Sequence, residues 1–218
     1  NDDLWPFPFL DFVAGAGMVV LAMRTGTIMD VAFAGASTGS IGVETALWGV
    51  GCVAVAIMVF AIAGPLEDMQ PDSRSRWGGA FTGPAWASLV VGVVAIAAAW
   101  LLLRSDMKGQ AIGAAVVGGM LCGLAGRLWH PRLQPVLLFA APSLCIGVAQ
   151  LIMTGMVSPP AATAFVRNEL PRLLWMMPLD VAGGSVLGVS LGIGWARSFI
   201  ATTTVPAPMT PSISRAQI

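Results

Sequence analysis

The sequence predicts an all-α integral membrane protein, a bundle of about six transmembrane helices joined by short loops. Apolar stretches of about 20 residues, the length that crosses a bilayer core, recur about six times along the chain. Nearly all the charge lies in the short segments between them. Charged residues make up 10% of the 218-residue chain and hydrophobic residues 56%, whereas soluble domains carry about 25% charge. A soluble domain is excluded.

The first span is placed at residues 7–23, the shortest, and is closed by Arg24. A Gly, Ser and Thr-rich connection around residues 34–40 leads to the second span, 41–63, which Gly64-Pro65 and the acids Glu67, Asp68 and Asp72 force into water. The longest polar loop, 65–83, carries Arg74, Arg76 and Trp77. The third span runs from Pro84 to Leu103, where Arg104, Asp106 and Lys108 mark the next boundary. The fourth, 111–129, leads into Arg127, His130 and Arg132. Pro135 is expected in the first turn of the fifth, which reaches 157, since a first-turn amide has no helical partner to lose. Ser158-Pro159-Pro160 opens a connection to the sixth span, 173 or 178 to 200. Residues 1–200 thus read as one transmembrane domain, and 201–218, rich in Pro, Thr and Ser, as a flexible tail. Trp5, Trp77, Trp129, Trp175 and Trp195 fall near span ends, where an amphipathic ring anchors at headgroup level.

Eleven basic and eleven acidic residues balance to zero, so no basic surface marks nucleic acid and no polybasic cluster marks anionic lipid. The basic residues near the membrane divide evenly: Arg74, Arg76, Arg127, Arg132 and Arg197 on the side of the N-terminus, Arg24, Arg104, Lys108, Arg167 and Arg172 opposite. Only the first span, with Asp2 and Asp3 before it and Arg24 after it, leans toward an outside N-terminus. The expected location is multi-pass in a bacterial inner membrane. The chain opens on Asn1, an opening expected from removal of preceding residues, and nothing that follows resembles a signal peptide.

Small residues at four-residue spacing give the clearest packing signal: Ala115, Gly119 and Gly123 in the fourth span, Gly184, Gly188 and Gly192 in the sixth. Each set shares one helix face on which a neighbouring backbone can approach closely. The expected neighbour is another helix of this chain, with a partner subunit as the alternative.

Two carboxylates look intramembrane, Asp11 after Pro8-Phe9-Leu10 and Asp180 after Pro178-Leu179. If each helix begins at its proline, both acids lie in the first turn, where unpaired amides and the helix dipole favour negative charge. The alternatives are a buried ion pair with Arg172 or Arg127, or a proton or cation translocation site. Glu44 invites the same helix-start reading. The similar contexts of Asp11 and Asp180 also admit an internal repeat of three spans. Gln150, with Ser143 and Thr154 in the fifth span, is expected to hydrogen-bond across helices, or alternatively to line a solute pocket.

Cys52, Cys122 and Cys145 lie in apolar spans without CxxC spacing and read as small hydrophobes. One histidine excludes bis-histidine haem within the chain, and the twelve methionines read as packing rather than copper ligands. There is no nucleophile elbow, HExxH or phosphate loop. No cofactor or metal is expected, and catalysis is not.

The function expected from these features is a non-catalytic membrane subunit that scaffolds or stabilises a larger assembly. Its partners would be the bilayer and other membrane subunits or further copies of itself. The alternative is a transporter or channel component, such as the substrate-binding membrane subunit of an importer, with Asp11, Gln150 and Asp180 as its polar site. A lipid-modifying enzyme is the third class and would require Asp180, Arg172 and His130 together at the interface.

Overall fold

A computed structural model describes residues 7–64, 81, 83–131 and 134–201. The polar loop from 65, most of the tail and Trp5 lie outside the described residues. Five helical segments are long and apolar enough to cross a membrane: Thr38–Ala63, Gly83–Leu102, Lys108–Trp129, Leu137–Thr154 and Pro178–Phe199. A sixth apolar helix, α1 (Phe7–Ala22), has 16 residues and a rise of about 24 Å, less than the bilayer core. The chain is a multi-spanning membrane protein and its exposed apolar faces, such as Leu47, Met58 and Ile62 on α3 (Thr38–Ala63), are accommodated by lipid.

Boundaries shift where local chemistry decides them. Before α3 the chain forms α2 (Ile28–Phe33), and α3 starts three residues earlier than the apolar run because Ser37 caps it, its hydroxyl accepting from Gly39 N–H at 3.2 Å. Glu44 is therefore in the second turn, on an exposed face, and is not a helix-start residue. The third span is broken: α4 (Gly83–Ala87) passes through a 3-10 turn, Ser88–Val91, into α5 (Gly92–Leu102). The Ser88 hydroxyl donates back to Ala85 O at 2.5 Å, a bond that bends helices. Gly92 lies against Ala141 O, where a side chain would collide.

Two long helices form the spine, α6 (Lys108–Trp129) and α9 (Pro178–Ala201). Between them, α7 (Ala141–Thr154) follows a 3-10 turn at Leu137–Phe139 and carries Pro142, not Pro135, in its first turn. The α6 and α9 stripes face each other in parallel. A Cβ on Gly119 or Gly123 would stand 2.7 Å from Ser185 O or 2.6 Å from Val189 O. On the other helix, Gly184 would meet Ala115 Cβ at 2.5 Å, Gly188 would collide with Val116 O, and Gly192 with Met120 O. Backbone lies on backbone along three turns, which maximises dispersion contact where lipid supplies no hydrophobic drive.

The connection from α7 to α9 forms α8 (Ala161–Val166) and a 3-10 turn, Arg172–Trp175. Ile28 of α2, Ile41 of α3, Ala164 of α8, Leu170 and Leu174 make a small second core, and Phe33 meets Phe165 edge to face at 6.2 Å. Together α2 and α8 cap the end of the bundle at which α6 and α9 begin.

Candidate functional site

At that capped end, Asp180 lies in the first turn of α9 and accepts from Met177 N–H at 3.2 Å. Its other oxygen pairs with Lys108 Nζ at 3.1 Å. The carboxylate is 1% exposed and the lysine side chain 14%. Lys108, at the start of α6, also donates to Thr25 Oγ1 at 2.7 Å and Gly26 O at 2.8 Å, so one ammonium ties the ends of α1, α6 and α9. Asp180 thus combines a helix-start position with a buried ion pair. Its partner is neither Arg172 nor Arg127 but a lysine 72 positions away in sequence.

Gln150 is fully buried one turn before the end of α7. Its Nε2 donates to Leu173 O at 2.8 Å and Met176 O at 3.0 Å. The amide anchors the connector that leads into α9, with only Oε1 left unpartnered among the described residues.

Asp11 stands apart from both. The described helix begins at Phe7, so Asp11 lies beyond the first turn and outside cap geometry. A Cβ on Gly183 would meet Val19 N at 2.8 Å, and one on Gly15 would collide with Leu187 N, which makes α1 and α9 antiparallel. The same offset sets Asp11 level with Leu191, near the middle of the 24-residue α9. Asp11 is fully buried and neither oxygen has a hydrogen-bond partner among the described residues.

Cys52 of α3 and Ser143 of α7 are also buried, 1% and 0% exposed, and the Ser143 hydroxyl has no hydrogen-bond partner among the described residues. An unpaired carboxylate at a helix centre costs about 2.5–3.5 kcal/mol on insertion scales, a cost that a bound proton removes. Two carboxylate oxygens fall short of the six or so oxygens that Ca2+ or Mg2+ requires. Among the described residues no group of three or more His, Cys, Asp or Glu could hold a metal.

The similar sequence contexts of Asp11 and Asp180 therefore end in different places, one at mid-bundle and one at a capped end. His130 stacks on Trp129 with ring centroids 4.9 Å apart, at the far end of α6 from Lys108. That places it about 30 Å along the helix from Asp180, so the Asp180, Arg172 and His130 constellation does not form. Arg127, buried in the last turn of α6, donates to Pro131 O at 2.6 Å, where a cation also complements the helix dipole. Lys108 could not have been linked to Asp180 from sequence, because their meeting depends on how α6 and α9 pack.

No protein family, curated protein or solved structure matches the chain. The chemistry of its own buried groups carries the functional reading.

Proposed function

We propose that the chain is a proton-linked membrane transport component in which Asp11 takes up and releases the proton inside the bundle. The observation that carries the reading is the fully buried mid-bundle carboxyl with two unpartnered oxygens. Ionisable groups in spans are rare and, when retained, mark proton relays and ion paths. The other two polar candidates have structural engagements: Asp180 is held by Lys108, and Gln150 holds the connector. Proton binding at Asp11 cancels a buried charge on α1, and so changes how firmly α1 sits against α9 and α3.

The scaffold reading recedes because the two small-residue stripes, the faces best suited to a close-packed partner, are spent against each other. The deciding experiment uses the purified chain in vesicles enclosing a pH-sensitive dye, with an imposed potassium diffusion potential. Proton entry above that of protein-free vesicles is expected for wild type, and entry at the protein-free rate for Asp11→Asn with unchanged elution and helicity. Wild-type flux in Asp11→Asn, or no flux above protein-free vesicles in wild type, would overturn the proposal.

A further inference from the structure

Two adjoining cavities of about 410 and 360 Å³ open at the capped end, sharing Arg104, Asn168, Leu170 and Trp175. The smaller adds Trp100 and Arg172 and contains no acid; the larger reaches Asp106. Arg172 lies over the Trp100 ring at 6.0 Å, which orients its guanidinium plane. Neither guanidinium has a carboxylate or hydrogen-bond partner among the described residues. Asn168 holds the wall in place: at φ 55° it ends α8 in the left-handed conformation, which asparagine tolerates better than most residues. Glu169 N–H then closes the turn on Ala164 O at 2.8 Å.

We propose that Arg104 and Arg172 bind the phosphoryl headgroup of an anionic phospholipid. Paired guanidiniums offer the planar donor forks that phosphoryl oxygens accept, and basic pockets between spans hold lipid headgroups in this way. The groove favours a lipid over free phosphate because it adjoins the outer face of α5. Trp100 is 52% exposed, and Leu101 and Leu102 beside it are exposed as well, a surface along which acyl chains lie while the two tryptophans flank the headgroup. The site is independent of Asp11 and stands whether or not the chain moves protons.

The test is native mass spectrometry of the full chain in detergent, titrated with phosphatidylglycerol and separately with phosphatidylcholine. Wild type is expected to prefer phosphatidylglycerol. With each arginine near an anionic headgroup worth about a factor of five, R104Q/R172Q should lose about thirtyfold in that affinity. R24Q, at the same end of the bundle but outside the groove, should bind as wild type does. Inorganic phosphate should compete only weakly. Equal phosphatidylglycerol binding by wild type and the double variant overturns the site, as does an equal loss in R24Q. Displacement of the lipid by millimolar phosphate overturns the lipid assignment in favour of a free anion. If the double variant does not fold, the wild-type comparison decides: equal affinity for the two lipids overturns the proposal.

Discussion

Replacing Gly188 by alanine adds one methyl group to the α6–α9 seam, and the structure gives the consequence directly. The new Cβ would collide with Val116 O and stand 2.8 Å from Met120 N and 3.0 Å from Gly119 Cα. All three are backbone atoms, which cannot rotate away. Ordinary carbon contacts lie at about 3.5–4.0 Å, so the helices must part by about 1 Å or more at the Val116 collision, a gap that forfeits about half of the dispersion well for each contact along the seam. Overpacking of this kind costs about 1–3 kcal/mol. Gly194, six residues on in the same helix, has nothing within 4 Å of its added Cβ. Gly194→Ala should therefore stabilise by about 0.5–1 kcal/mol through helix propensity alone. The assay is unfolding in mixed micelles followed by tryptophan fluorescence, with both variants referred to wild type. The two should separate by about 1.5–4 kcal/mol, with opposite signs. Equal stability of Gly188→Ala and Gly194→Ala would refute the seam.

Asp180→Asn should cost about 3 kcal/mol, because it strands a largely buried ammonium. In a double-mutant cycle with Lys108→Met the coupling should exceed about 1 kcal/mol, and additivity would show that the pair contributes nothing. Gln150→Leu leaves the Leu173 and Met176 carbonyls without their donor and should cost about 1–3 kcal/mol, with faster amide exchange over residues 171–177; unchanged exchange there would contradict the anchoring role. The exposed Asp30 carboxylate, held below the usual range by Thr27 N–H and its hydroxyl, caps α2. A depressed folded value means the contribution is complete above the ordinary carboxylate range near 3.8 and is lost as pH falls through the lower folded value. Amides of α2 should therefore loosen only in that acid window, and Asp30→Asn should remove the pH dependence; loosening at neutral pH would contradict the capping role.

The helices were legible because a bilayer imposes length and apolarity on every crossing segment. The α6 and α9 stripes could be read because residues four apart share a face. What the sequence left open are contacts between distant positions. The break at Ser88–Val91 depends on a hydroxyl bending back to Ala85 and on Gly92 meeting Ala141, and only the second lies outside the local sequence. Lys108 could not be assigned to Asp180, because composition carries no information about helix order around a bundle. The α2 and α8 cap was missed for another reason: six-residue helices with mixed composition show neither a span nor a clear period.

An uncompensated carboxyl at mid-bundle that takes up and releases a proton is the centre of the proposed function, and carbodiimide labelling tests it most directly. A hydrophobic carbodiimide reacts with protonated carboxyl groups in apolar surroundings, and peptide mass spectrometry assigns the adduct to a residue. Modification is expected at Asp11, with Asp180 spared by its Lys108 pairing and proton flux falling in step with the Asp11 adduct. Modification of Asp180 with Asp11 untouched, or an Asp11 adduct that leaves proton flux unchanged, would contradict the proposed function.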